Sequence, residues 1–350
     1  MTIRDLLSHR SGFATFGGDL LWYSANYTPA EVLSRLRHLK PVTSFRSRYG
    51  YQNLMFMVAG EVAAKVAGKP WDEFVRERFF QPLGMTRTTT DINTFAALGN
   101  VATPHNKLDG KLRVVHYSSV AGAGAAANIN SSVTDMAQWL RLQLARGSYD
   151  GKQIFTAKQS REMWTPHTII PIGEQSEKLN PQTNFRAYGV GWSLSDFHGR
   201  KTVGHGGALD GMLSQVGMIP SERLGVIILT NSETPLASTL VNRVFDTLLN
   251  VTPRDWSGEA LARVKANEAN EKKEAQKTEA ARIPNTKPSL SMDAYAGRYT
   301  GALFGDAMVA NENGKLVVRL APSPTFIGDL EHWHYDTFRI RWRPSVAYAF

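Results

Sequence analysis

Cysteine does not occur among the 350 residues. That excludes a disulfide framework, a thiolate zinc site and a cysteine nucleophile. It leaves the compartment open, because a core of this size does not need disulfides. Long apolar runs are also missing. No stretch of about 18 apolar residues occurs, so no membrane-spanning helix is expected. No internal repeat of roughly 20–50 residues is visible, which argues against a solenoid or propeller. Negative charge is the scarcer sign: 31 Asp and Glu stand against 40 Lys and Arg, for a net charge of +9. A nucleic-acid binder needs those bases clustered on one face. Here they are dispersed, and the densest run is Arg35, Arg37, His38 and Lys40. No nucleic-acid partner is expected.

What is present is ordinary globular material, 42% hydrophobic and 20% charged. The length suggests two or three domains, at about 100–200 residues each. Residues 1–90 read as mainly helical. Thr2 and Asp5 have capping-box spacing, so the chain opens directly into a helix rather than a signal peptide. Thr28-Pro29-Ala30-Glu31 combines a hydroxyl cap, a helix-starting proline and a reciprocating glutamate. Residues 53–67 are apolar on most sides and predict a buried helix. Another helix starts at Pro70 and ends at Gly84. Further helices follow the caps at Ser132 and Thr156. From 185 the apolar period changes to two. Strands are expected over 188–193, 201–203, 212–219 and 224–231, the last two joined by the turn Pro220-Ser221-Glu222-Arg223. A helix over 235–250 closes this region. Helices, then antiparallel strands, then a helix predict an α/β sandwich of the α+β kind: an antiparallel sheet flanked by helices, plus an all-α region. Residues 252–288 are rich in Ala, Glu and Lys and predict a charged helical linker. Residues 289–350 alternate and predict a partial, small all-β domain. The expected division is therefore 1–251, 252–288 and 289–350.

Two short motifs could carry chemistry. Tyr51-Gln52-Asn53 lies at the start of the apolar helix. Val203-Gly204-His205-Gly206-Gly207-Ala208 lies at the end of an expected strand. Each has a bland reading. Tyr51 could be a packing residue, Asn53 a helix cap, His205 a strand-end histidine, and Gly206 and Gly207 could serve backbone conformation alone. Asp135 reads as a cap rather than an acid, and His105 and His116 as structural. His332-Trp333-His334 places two imidazoles on one strand face. With no third ligand in view it reads as a surface or core pair, and no metal is expected.

Five blocks, in this order, resemble the serine β-lactamase-like superfamily of β-lactamases, penicillin-binding proteins, D-aminopeptidases and related esterases. They are "TIRDLLSHRSG", "YQNLMFMVAGEVAAKVAGKPWDEFVRERFFQPLGMTRT", "SSVTDMAQWL", "YGVGW" and "VGHGGALDGMLSQVGMIPSERLGVIILTN". The resemblance covers about residues 1–250. The tail, from "YAGRYTG" to "LEHWHYDTFRIRW", resembles the β-rich domain that often follows these hydrolases. The family works through Ser-x-x-Lys, Tyr-x-Asn and Lys-Thr-Gly or a histidine variant. The resemblance implies that Tyr51 and Asn53 are the tyrosine and asparagine of the second motif. It implies that His205, Gly206 and Gly207 form the third, and that the Ala208 N–H is one of two oxyanion donors. It implies acyl transfer without cofactor or metal, on a small-molecule or peptide substrate, and commonly periplasmic or extracellular members. No serine or threonine here is followed by lysine three positions on. In the family that motif precedes the block resembling "TIRDLLSHRSG". The expectation is a chain that begins downstream of its nucleophile and is inactive as written. The alternative is a catalytically inactive member that binds a ligand or a protein. Histidine in place of lysine in the third motif leans the resemblance toward esterases and D-amino-acid peptidases, since imidazole is mostly neutral at pH 7.

Overall fold

The structure, a computed structural model, describes residues 1–108, 110–118 and 120–343. The C-terminal end of the expected 289–350 domain, residues 344–350, lies outside them. Contacts divide the chain into two units. One comprises residues 1–19 and 39–253, the other residues 20–38 and 254–350.

In the first unit, alternating apolar residues and short turns build a six-stranded antiparallel sheet. Its order is Leu224–Thr230, Met212–Ile219, Arg200–Leu209, Ser193–Phe197, Arg186–Tyr188 and Thr168–Ile169. Neighbours in the sheet are neighbours in sequence; all pairs close through short turns except Thr168–Ile169 and Arg186–Tyr188, whose connection carries the Glu174–Leu179 helix. The turn over 220–223 is seen as expected, with Arg223 in the left-handed region at φ 54°. Helices cover both faces, and two glycines show how closely. A Cβ on Gly225 would lie 2.6 Å from Leu140 of the Val133–Leu144 helix. A Cβ on Gly217 would lie 2.7 Å from Val241 of the Leu236–Leu248 helix. Gly217 pairs with Val226, the residue after Gly225, so the two helices lie on opposite sides. On the Leu140 side Trp164, Ala187, Trp192, Leu194, Val203 and Met218 form one apolar core.

Four expectations need correction. The strand expected over 188–193 is two strands and a turn. Gly189 donates its N–H to the Trp192 carbonyl at 2.8 Å, and Gly191 takes φ +76°, a value that favours glycine. The strand expected over 201–203 runs from Arg200 to Leu209, so His205 to Ala208 sit within it and not beyond its end. The Asn53–Ala67 helix is buried at Leu54, Met55, Met57, Ala59 and Gly60. Its second half is open to solvent, with Val66 84% exposed. The expected 70–84 helix changes winding: an α-helix over Trp71–Val75 passes into a wider π turn over Arg76–Phe80. Val75, Phe80, Leu83 and Met85 there pack with Leu142.

The second unit is built on a five-stranded antiparallel meander: Gly297–Tyr299, Ala307–Glu312, Lys315–Leu320, Ser323–His334 and Thr337–Trp342. Leu316, Val317, Val318 and Phe326 are buried. Residues 20–38 belong here. Asn26 donates its N–H to the Pro322 carbonyl at 2.8 Å, and the Tyr23 ring meets Phe326 edge-on at 6.3 Å. The Ala/Glu/Lys-rich stretch forms a helix over Trp256–Ala280, capped by Asp255. Arg339 ties its last turn to the sheet through Glu279 at 2.9 Å.

Candidate active site

Three segments of the first unit converge on Tyr51. The first is the turn after the Ile3–Leu7 helix, residues 8–17. The second is the loop 44–52 that leads into the Asn53–Ala67 helix. The third is the Arg200–Leu209 strand. Tyr51 is half-buried. Its N–H donates to Thr15 Oγ1 at 3.2 Å, and its carbonyl accepts from the Phe16 N–H at 2.9 Å. The rings of Tyr51 and His205 lie 6.1 Å apart. The two expected motifs, far apart in sequence, are therefore brought together.

Asn53 is not the helix cap. It is the first helical residue, and the cap position belongs to Gln52, whose side chain makes no capping bond. Asn53 Nδ2 donates instead to Asp19 Oδ2 at 2.7 Å. That bond uses one of the two amide N–H groups and leaves the Asn53 carbonyl oxygen for another group. Asp135, read as a cap, accepts from the Arg87 N–H at 2.8 Å and from the Thr88 hydroxyl at 2.8 Å.

The third motif lies at an overhang. Arg200–Gly204 pair with Ser193–Phe197, and residues 205–209 continue past the end of that neighbour. They keep their other partner, with Ala208 opposite Leu213 and Leu209 opposite Met212. Two residues, Asp210 and Gly211, separate Leu209 from Met212, so that pair closes the hairpin with hydrogen bonds. Antiparallel alternation then puts Ala208 in a non-hydrogen-bonded pair, its N–H directed to the open edge. A Cβ on Gly206 would lie 2.5 Å from the Gln215 amide, and one on Gly207 2.5 Å from Ser214 Oγ. Side chains there would displace the neighbouring strand's.

The electrostatics favour neutral groups. Burial pushes the His205 imidazole down from its ordinary value. Its Nδ1 lies 2.6 Å from the Gly206 carbonyl oxygen, which can only accept, so Nδ1 carries the hydrogen and Nε2 the lone pair. Burial, then the nearby Asp19 charge, push the Tyr51 phenol up. Burial pushes Tyr49 up to about 12, and Tyr188 upward as well. At neutral pH these are uncharged phenols around an uncharged imidazole.

Four residues of this cluster were not singled out from the sequence: His9, Asp19, Tyr49 and Tyr188. His9 and Tyr188 are fully buried, and their rings lie 4.4 Å apart. His9 packs on Tyr51 at 4.2 Å. Nothing local marks them. His9 stands 43 residues before Gln52, whose N–H it accepts. Its inclusion in the block "TIRDLLSHRSG" was the one available signal. Among the described residues no three His, Cys, Asp or Glu side chains gather as a metal site. His332 Nε2 contacts the Tyr335 carbonyl at 2.8 Å, and His334 Nδ1 accepts from the Ile283 N–H at 3.4 Å.

Gly50 shows how tightly the Tyr51 loop is seated. It donates its N–H to the His9 carbonyl at 2.9 Å, and a Cβ added to it would overlap the Phe13 carbonyl oxygen. Backbone cannot step aside as a side chain can. Gly50→Ala is therefore expected to lower the free energy of unfolding by about 1–3 kcal/mol, the usual cost of forced overpacking. Urea titration of both proteins checks this; a difference under about 0.5 kcal/mol, the level of an ordinary surface change, would show that the loop yields.

Residues 1–250 match the Beta-lactamase family, and the chain belongs to it. Residues 281–349 match a second family, a domain of unknown function (DUF3471). The chain is 28% identical over 321 residues to unguisins hydrolase ungD' of Aspergillus campestris, a match covering 86% of this chain and 56% of that protein. It is 26% identical over 241 residues to a D-aminopeptidase of Brucella anthropi, covering 66% of this chain and 42% of that protein. It thus spans about half the length of these curated relatives. The octameric penicillin-binding protein homologue from Pyrococcus abyssi shares the fold, with a TM-score of 0.62 at 20% identity, over 96% of this chain and 72% of that one. The expected fold class, a mixed α/β fold with antiparallel sheet and helices followed by a small all-β sheet, is the one found.

Proposed function

We propose that the first unit is the acid–base and oxyanion half of a serine acyl-transfer hydrolase acting on an ester, an amide or a D-amino-acid peptide. The observation that carries this reading is the meeting of Tyr51 with His205 beside the overhanging Gly206-Gly207-Ala208 edge. In this reading a serine hydroxyl adds to the substrate carbonyl and loses its proton through Tyr51 and a lysine. The tetrahedral oxyanion rests on the Ala208 N–H and the nucleophile's own N–H. Tyr51 then delivers a proton to the leaving alcohol or amine, and water releases the acyl group. Asn53 offers its carbonyl oxygen to the lysine or the substrate. His205, uncharged, walls the pocket and supplies no permanent cation for a substrate carboxylate.

Within these 350 residues no Ser-x-x-Lys occurs, and in this reading the nucleophile is supplied by such a segment outside them. The same absence favours a second reading, an inactive member that binds a ligand or a protein. The test is labelling. A fluorophosphonate probe should leave residues 1–350 unmodified. It should label one serine when an in-frame Ser-x-x-Lys segment precedes Met1, together with cleavage of a D-alanyl anilide or an aryl ester. Stoichiometric labelling of a serine within 1–350 overturns the assignment of the nucleophile. A gene with a stop codon immediately upstream of Met1 supports the inactive reading.

A further inference from the structure

We infer that His9 is the positioning residue for Tyr51, gripping the chain on both sides of it. The backbone half of this inference stands on geometry alone; its consequence for turnover rests on the role proposed for Tyr51. The His9 carbonyl accepts from the Gly50 N–H at 2.9 Å, and its ring Nδ1 accepts from the Gln52 N–H at 3.0 Å. Between these two bonds stands Tyr51, whose ring packs on the His9 imidazole at 4.2 Å with the planes 36° apart. His9 adopts φ 54°, a left-handed conformation that costs a non-glycine residue energy and persists only where surroundings enforce it. Behind the imidazole lie Tyr188 at 4.4 Å, Phe56 at 5.0 Å and Tyr49 at 5.7 Å.

The grip requires a particular protonation state. A backbone N–H only donates, so His9 Nδ1 must carry a lone pair and the ring hydrogen must sit on Nε2. Burial, then neighbouring His205, hold the imidazole down at about 3, so it stays neutral across the physiological range. The titratable groups facing it are Tyr49, Tyr51, Tyr188 and His205. Among the described residues Nε2 has no hydrogen-bond partner although it is buried, and the Tyr188 hydroxyl and Gln52 Oε1 are in the same condition. A ring needed only for packing would be better served by phenylalanine, which leaves no buried donor unmade. What histidine adds is the acceptor at Nδ1. Protonation at that atom, or its replacement by carbon, releases the Gln52 N–H and with it the peptide that joins Tyr51 to the helix.

The experiment uses the 350-residue chain labelled with nitrogen-15 histidine, and two variants. Two-bond nitrogen–proton correlations should report Nδ1 as unprotonated and Nε2 as protonated, with no titration between pH 5 and 8. His9→Phe keeps the ring and removes the acceptor. Hydrogen exchange at the Gln52 amide should then accelerate by roughly 10–100-fold, as expected for a buried donor left unmade. His9→Asn places an amide oxygen near the site of Nδ1 and should return exchange to within about threefold of the parent. In a form preceded by a Ser-x-x-Lys segment, His9→Phe should lower kcat by roughly 10–100-fold with KM within about threefold, the pattern of a displaced catalytic group. An Nδ1–H tautomer, an imidazole titrating between pH 5 and 8, or equal Gln52 exchange in the Phe and Asn variants overturns the inference. Should His9→Phe fail to fold, the tautomer in the unaltered chain and exchange in His9→Asn decide it. If Gln52 behaves as described while Tyr51→Phe leaves turnover intact, the grip stands and the role of Tyr51 is what fails.

Discussion

Replacing Tyr51 by phenylalanine, in a form preceded by a Ser-x-x-Lys segment, should lower kcat by about 10²–10⁴-fold, the usual contribution of a general acid–base group. The substitution is clean. The hydrogen bonds described for Tyr51 use its backbone, to Thr15 and Phe16. The ring contacts with His9, Phe16 and His205 survive loss of the hydroxyl. Volume is nearly unchanged, so the melting temperature should move little. Burial and Asp19 hold the phenol protonated; in the proposed reaction it would therefore enter as a donor, or as a relay once a lysine ammonium lies beside it. His205→Ala should behave differently. An uncharged pocket wall alters which substrate fits, so KM and selectivity should change more than kcat. Steady-state kinetics on a D-alanyl anilide separate the two. Activity of Tyr51→Phe within about threefold of the parent, well short of the loss typical for such groups, would make Tyr51 a packing residue and move the search for the base to the lysine.

The features legible in the sequence are those settled within a few residues. Thr2 with Asp5, Thr28 with Glu31, and Thr156 with Gln159 all form reciprocal capping boxes, because each partner lies one helical turn from the other. The 212–219 and 224–230 strands pair across the expected turn, because alternation and turn residues are local signals too. The site motifs were legible as words, through their order and family likeness. Their surroundings were not. His9 holds Gln52 across 43 residues, and Asn53 finds Asp19 across 34. Residues 20–38, between two segments of the first unit, pack with the tail, and no periodicity in them announces it. The strand expected over 188–193 is interrupted because close packing at Gly189 and positive φ at Gly191 turn the chain, and apolar alternation registers neither.

Asp5 joins the two kinds of information, and its removal should have the largest effect on stability. In sequence it is a helix-capping residue. In the fold its side chain is fully buried and receives two guanidinium groups. Arg46 donates Nε to Oδ1 at 2.9 Å and an NH2 to Oδ2 at 2.8 Å, while Arg10 donates Nε to Oδ1 at 2.8 Å. The Thr2 N–H and hydroxyl donate to Oδ2 at 2.8 Å each. Arg46 lies on the loop that carries Tyr51, so this carboxylate pins that loop to the first helix. Breaking a buried pair costs about 3–5 kcal/mol when both partners are buried. Here the Arg46 side chain is 51% exposed and can return to water, and Arg10, 17% exposed, keeps its bond to the His167 carbonyl, so about 2–3 kcal/mol is expected for Asp5→Ala at pH 7. The pH dependence has a definite sign. Arg46 above all holds the Asp5 carboxyl well below the usual carboxylate range in the folded state. The unfolded chain, with an ordinary value near ~3.9, therefore binds its proton first as the pH falls. The stabilisation is complete above about pH 5 and is lost progressively below the unfolded value. Urea titrations at pH 7, 5 and 3 should show the parent-minus-variant difference unchanged between the first two and smaller at the third. A difference that is negligible at pH 7, or that grows on acidification, would mean that the guanidiniums do not stabilise this carboxylate.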